Sequence, residues 1–270
     1  MANLFLNRLT NTIAMQRKLM VHGASRLLGL QVVNEYPKSG GTWIGLLLSD
    51  ALGIPFPQNQ RPPLRRCIMH GHYLRTTGMY RPVLVWRDGR DVMSSLYHHS
   101  YFKFDGDPRN HFHVDLYRQT HPFEDYDDIR GNMPRFIEQQ FTRPLSPGFS
   151  WRDFVNVWTA FPSRIDVFYE DFRRDTLSAL RRTLEQLDPA EGIPDRDRLA
   201  QIVDRRSFDR AKAAETGKPG QHSFLRKGAV EGWREEFSPE ALAVFDHFAG
   251  AALDKLGYPR TAGTQTHEVK

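Results

Sequence analysis

Two adjacent glycines separate a strand pattern from a helix pattern near the start of the chain, and no other stretch restricts the fold as much. Gln31-Val32-Val33-Asn34-Glu35 reads as a short strand. Ile44 to Leu52, almost entirely apolar, reads as a buried helix stopped by Gly53. Between them lies Tyr36-Pro37-Lys38-Ser39-Gly40-Gly41-Thr42-Trp43. A strand, a glycine turn and a helix make an anion cradle. The glycines admit close backbone N–H approach, the helix start adds unpaired donors and partial positive charge, and Lys38 adds a full charge. Phosphate or sulfate is the expected guest, although a Gly-Gly turn before a helix can also be purely structural.

The common nucleotide-triphosphate loop places lysine directly after its last glycine, whereas Lys38 precedes both glycines, so an ATPase reading is weak. At 270 residues the chain fits one large α/β domain. A single cysteine, Cys67, excludes an internal disulfide and a cysteine-rich zinc module. A net charge of +5 favours anionic partners: a nucleotide with several phosphates, nucleic acid or an acidic membrane surface. No apolar run reaches the roughly 18 residues of a membrane span. Residues 1–30 form a basic amphipathic helical segment, in which Arg8, Arg17, Lys18 and Arg26 interleave with apolar residues and no acid occurs before Glu35. Such a segment fits a surface helix, an interfacial helix on anionic lipid or an organelle-targeting sequence. It lacks the apolar region of a secretory signal.

Cys67-Ile68-Met69-His70 reads as a second strand that delivers His70 and His72 to its C-terminal end, where open parallel sheets bind ligands. Two histidines there can ligate a metal, pack inertly or act as a base. Their spacing gives no helical chelate, and the sequence shows no third ligand nearby. Pro82 to Trp86 is the clearest strand, apolar as a central parallel strand requires, and it runs into Arg87. A salt-bridged Arg87–Asp91 loop would account for the charges that follow. Residues 97–150 read as a loop-rich insertion with five histidines and many aromatics, more often a binding lid than a spacer. No cysteine or carboxylate pattern accompanies those histidines, which argues against zinc.

Trp151, Phe154, Val155 and Trp158 recur at helical spacing. Ile165 to Tyr169 reads as a strand, and Leu177, Leu180, Leu184 and Leu187 line a helix. Glu170 and Asp171, on an extended chain, would point to opposite faces and are read as structural. Ser238 and Pro239 start a C-terminal helix as N-cap and first residue.

The Tyr36–Trp43 run resembles the 5′-phosphosulfate loop of sulfotransferases that use 3′-phosphoadenosine 5′-phosphosulfate (PAPS), whose usual form has threonine where Gly41 stands. That family carries Lys-Thr-His after the loop, so the resemblance makes His72 the catalytic base and puts His70 in place of the lysine. A neutral imidazole suits a base at neutral pH. Arg87 and, eight residues on, Ser95 match the family's 3′-phosphate pair. Phe168-Tyr169-Glu170-Asp171 resembles its Tyr-Glu-Asp signature, with Tyr169 near the adenine. Ser207-Phe208 falls where Phe208 would stack on adenine opposite Trp43. Arg226-Lys227-Gly228 resembles the segment that closes over the 3′-phosphate.

The resemblance implies an α/β fold, a single domain over 31–270 with a central parallel sheet flanked by helices, and residues 97–150 as the acceptor site. The implied catalytic set is His72, Lys38 and Ser95. The implied cofactor set is Lys38, Ser39, Gly40, Gly41, Thr42, Trp43, Arg87, Ser95, Tyr169, Ser207, Phe208, Arg226, Lys227 and Gly228, with PAPS converted to PAP and no metal. The acceptor is a small molecule, glycan or lipid-linked hydroxyl or amine, and nucleic acid is not a partner. A cytoplasmic location follows, with a peripheral membrane contact through the N-terminal segment. The family's dimerisation pattern would start at Arg234, and Ser238-Pro239 does not fit it, so no oligomeric state is implied. An ATP-dependent phosphotransferase, for which Asp88 alone offers a magnesium ligand, and a non-catalytic nucleotide-binding module are the competing readings.

Overall fold

Four short apolar runs become one parallel sheet: β1 (Gln31–Glu35), β2 (Ile68–Gly71), β3 (Val83–Trp86) and β4 (Ile165–Phe168), in the order β2-β1-β3-β4. The helices, in chain order, are α1 (Ala2–Gly23), α2 (Gly41–Leu52), α3 (Gly89–Tyr101), α4 (Pro108–Thr120), α5 (Ile129–Thr142) and α6 (Trp151–Thr159). They continue as α7 (Tyr169–Arg174), α8 (Thr176–Leu187), α9 (Arg196–Arg205), α10 (Trp233–Glu236) and α11 (Pro239–Lys255). This is the expected α/β architecture with a central parallel sheet. The computed structural model describes residues 2–58, 60–102, 108–190, 192–207 and 230–260, without the side chains of 2–11 and 108–112.

The chain divides into two compact units. Met1–Arg87 with Ala160–Ala214 form the first, and Asp88–Thr159 with Glu215–Lys270 the second. In the first unit, Val33, Val83, Val85, Ile165 and Val167 of the sheet pack with Ile44, Leu47 and Leu48 of α2 and with Leu180 and Leu184 of α8. Helices on the sheet's faces explain why its strands read as apolar runs rather than alternating patterns. In α1, Met20 and Val21 are buried while Met15 and Leu19 are exposed.

The second unit corrects one expectation. Residues 97–150 are largely helical rather than loop-rich: α3 extends to Tyr101, and α4 and α5 follow. Pro134 lies inside α5, where it removes one helical N–H donor. Asp128 nevertheless caps that helix by accepting from Gly131 N–H at 3.0 Å, and its face of Met133, Phe136, Ile137 and Phe141 is buried. Tyr97, Tyr101 and Phe136 form a fully buried aromatic cluster, with Tyr97 and Phe136 centroids 5.2 Å apart. Asp91 accepts from the N–H groups of Glu231 and Trp233 at 2.9 and 3.0 Å. In the first unit, Glu170 and Asp171 lie in the first turn of α7, not on an extended chain. Asp171 pairs with Arg174.

Truncating the buried aromatic cluster tests this packing. Phe136→Ala should lower unfolding free energy by about 3–5 kcal/mol, read by urea denaturation; a loss below about 1 kcal/mol would show that the cluster is not packed as described.

Candidate active site

Every strand of the sheet ends at a residue singled out from the sequence. β1 leads into the Tyr36–Trp43 loop, β2 into His70 and His72, β3 into Arg87, and β4 into Tyr169. The strand order changes direction beside β1, with β2 on one side and β3 and β4 on the other. Ligands of open parallel sheets bind outside the carboxyl ends at such a switch point.

The loop is held in an unusual backbone path. Lys38 has φ 76° and Gly40 has φ 99°. A left-handed lysine is uncommon and persists only where its surroundings impose it. Here Arg87 does so, donating from Nη1 to the Lys38 carbonyl at 2.8 Å while its guanidinium lies 4.4 Å over the Tyr169 ring. Tyr169 is buried directly against Gly40, where an added Cβ would stand 2.6 Å from its Cδ2. No side chain caps α2 at Gly40, which leaves N-terminal donors of the helix for an anion. Trp43 donates from Nε1 to the Arg206 carbonyl at 2.7 Å and meets Tyr169 edge-on at 6.1 Å. Arg206 in turn is clamped to Asp50 at 2.9 Å, and Ser207 follows it. Lys38, Ser39, Gly40, Gly41, Thr42, Trp43, Arg87, Tyr169 and Ser207 thus belong to one unit.

The histidines are fixed by residues the sequence did not single out. Nδ1 of His72 lies 3.0 Å from the Glu35 carbonyl. A carbonyl only accepts, so Nδ1 carries the proton and Nε2 keeps its lone pair. Nε2 of His70 donates to Glu35 Oε1 at 2.9 Å, and Gly41 N–H donates to Glu35 Oε2 at 2.5 Å. Buried Asn34 exchanges two hydrogen bonds with the backbone of Tyr73, at 2.8 and 3.0 Å, and so pins the segment that carries His72. Arg17 of α1 donates to the His70 carbonyl at 2.8 Å.

Donor atoms of Glu35, His70 and His72 lie within 4.8 Å of one another, so a third group does stand near the two histidines, contrary to expectation. The His70–Glu35–Gly41 hydrogen bonds satisfy that carboxylate without a cation. Burial opposes ionisation of Glu35, but the His70 hydrogen bond, the charges of both histidines and the Gly41 N–H outweigh it and lower its pKa. His72 is exposed to solvent, with Glu35, His70 and Lys38 as its charged neighbours. Desolvation, then repulsion from His70, outweighs attraction to Glu35 and pushes its pKa down to about 4. Water at the open face works against that desolvation, so it is the direction of the shift that bears on chemistry.

Ser95 lies in α3 of the second unit and is half-buried. Phe208, Arg226, Lys227 and Gly228 lie outside the described residues. The segment after Gly228 is described from Val230 onward, and Asp91 of α3 anchors it through Glu231 and Trp233. Glu35 and Asn34 are the residues that sequence reasoning passed over, and Asp91 was read only as a salt-bridge partner. The available signal was two buried polar residues, Asn34 and Glu35, closing the strand after Val32 and Val33.

The sulfotransferase domain family matches residues 77–257. That is well over half of the chain, which belongs to this family: its activity is PAPS-dependent sulfuryl transfer, as the motifs imply. A mouse sulfotransferase, SULT7A1, solved with PAP, is similar in structure at a TM-score of 0.59 and 18% identity, covering 88% of this chain and 94% of that one. Retinol dehydratase, solved with androsterone and the inactive cofactor PAP, is similar at a TM-score of 0.56 and 18% identity, covering 87% and 83%. Retinol dehydratase with retinol and PAP gives 0.56 and 16%, covering 87% and 84%. No curated protein matches the chain in sequence.

The Gly40–Tyr169 contact supplies a direct check. Gly40→Ala combines a left-handed φ with a 2.6 Å clash, and should destabilise the fold by about 1–3 kcal/mol and weaken PAP binding in calorimetry. Unchanged PAP affinity would show that the loop path does not matter for the nucleotide.

Proposed function

We propose that His72 is the general base of this sulfotransferase and that Lys38 and the start of α2 hold the phosphosulfate. The observation that carries the reading is the His72 Nδ1–H bond to the Glu35 carbonyl, which leaves Nε2 as a proton acceptor at the C-terminal edge of the sheet. PAPS supplies the sulfuryl group. Nε2 of His72 takes the proton of an acceptor hydroxyl or amine as its oxygen or nitrogen attacks sulfur in line. Lys38 sits in the loop where charge builds on the departing phosphate, the place at which a fixed cation lowers a barrier. Uncapped Gly40 and the N-terminal donors of α2 fit an anion there.

For the other end of the nucleotide the support is motif order alone. Arg87, Ser95, Arg226, Lys227 and Gly228 are assigned the 3′-phosphate, and Trp43, Tyr169, Ser207 and Phe208 the adenosine. Tyr169 is buried and stacked under Arg87, so its role is to seat that arginine as much as to meet a base.

The acceptor is proposed to be a small-molecule alcohol. Two structural neighbours were solved with androsterone and retinol, each an alcohol, and residues 97–150 are the segment assigned to recognise it. We also place the chain in the cytoplasm with a peripheral contact on anionic membrane. Among the described residues no helix is long and apolar enough to cross a membrane. Between Met1 and Arg87 the only acids are Glu35, which is buried, and Asp50, which is paired with Arg206. The exposed Met15 and Leu19 of α1 flank Lys18. In vesicle sedimentation, binding should rise with phosphatidylserine content and fall with salt. Equal recovery with neutral vesicles would remove the membrane contact.

Labelled PAPS and a panel of alcohols, phenols and amines test the reaction. His72→Ala should lower turnover by about 10²-fold or more while leaving PAP affinity within about threefold. The depressed His72 pKa makes the base neutral below pH 6.5, so the acid limb of kcat/KM should lie between about 4 and 6.5 rather than above it. Retained turnover in His72→Ala would sink the base assignment, and PAP binding without transfer to any acceptor would favour a non-catalytic module.

A further inference from the structure

Glu35 has no part in the motifs, yet three site elements meet on it. Its carboxylate, 4% exposed, accepts from Gly41 N–H at 2.5 Å and from His70 Nε2 at 2.9 Å. Its carbonyl accepts from His72 Nδ1 at 3.0 Å. The His70 ring then meets the His72 ring edge-on, with centroids 5.2 Å apart. A Cβ on Gly41 would stand 2.7 Å from Glu35 Cδ and 2.9 Å from His70 Nε2. The carboxylate, the imidazole and the glycine therefore require one another: a larger residue at 41 has no room while the other two are present.

We infer that Glu35 is a positioning residue for sulfuryl transfer, its carboxylate holding His70 against His72 and withdrawing the first α2 N–H from the bound anion, and that Gly41 is glycine because this carboxylate occupies the space. The inference rests on His72 as the base. A base oriented by a third group is the usual arrangement for proton transfer. A buried carboxylate beside it also stabilises the imidazolium that forms as the proton arrives. The charged and titratable groups facing His72 are Glu35 on β1, His70 on β2 and Lys38 in the loop, with Arg17 of α1 on the His70 carbonyl. With Gly41 N–H occupied, the phosphosulfate falls to Lys38, Ser39 and Thr42.

The experiment is a coupling measurement on the full chain, reading kcat, KM for PAPS, PAP affinity and melting temperature. Glu35→Gln preserves volume but turns an amide N–H towards one of the two donors. It should reduce kcat about 10- to 100-fold with PAP affinity within about threefold. Gly41→Ala should cause a loss of similar size in the parent, yet cost less than about twofold further in a Glu35→Ala background, where the methyl enters vacated space. Full kcat in Glu35→Gln, or an undiminished Gly41→Ala loss in the Glu35→Ala background, overturns the inference. If Glu35→Ala does not fold, Glu35→Gln decides alone. The base reading fails separately, through retained turnover in His72→Ala; the Gly41–Glu35 coupling is still read in PAP affinity and melting temperature.

Discussion

The hydrogen bond from Gly41 N–H to the buried Glu35 carboxylate fixes where α2 can begin relative to the end of β1, and the anion loop is the chain strung between those two points. Five residues must turn through that gap. The left-handed conformations of Lys38 and Gly40 are how they do it. Strain at a lysine is tolerable because Arg87 accommodates its carbonyl and Tyr169 fills the space beneath Gly40. The cradle is thus built by residues at the ends of three strands, although its sequence follows one.

Parallel pairing explains why those residues converge. Each strand delivers its C-terminal residue to the same edge, so the spacing along the chain from Lys38 to His72, Arg87 and Tyr169 carries no penalty in space. Register then sets the finer geometry. Asn34 stands opposite Gly71, close enough to clip the Tyr73 backbone, and this places His72 one residue beyond the last pair. The Glu35 carbonyl, one residue beyond the last β1–β2 pair, accepts a hydrogen bond from His72 Nδ1–H. The imidazole tautomer that a base requires is a consequence of where the strand pairing stops.

Much of this was legible from residues alone, for a physical reason. β1, α2 and its Gly53 cap were readable because apolar runs bounded by glycine have few alternatives once both faces of a parallel sheet are covered. Residues 97–150 were misread because their helices are stabilised by tertiary aromatic packing rather than by a clean amphipathic pattern. In the site, motif residues were visible and their supports were not. Glu35 looked like the polar end of a strand. Gly41 stood out as a departure from the family loop, but the carboxylate that forces it lies six residues earlier and the imidazole 29 later.

Glu35, Gly41 and His70 also share a position relative to the family match, which begins at residue 77 and so excludes all three. The matched stretch holds the Arg87 and Ser95 pair and the segment anchored by Asp91, which are assigned to the nucleotide's invariant end. The unmatched stretch holds the loop and the histidine proposed to bind the phosphosulfate and to act as base. A carboxylate placed at the foot of an anion site raises the electrostatic cost of that anion, and the hydrogen bonds it takes from His70 and Gly41 N–H offset part of it. A substitution at one of these positions cannot be judged from the family loop alone, because the native residue at each is explained only by the other two. The departure at Gly41 from the family loop therefore follows from the carboxylate and the imidazole packed against it.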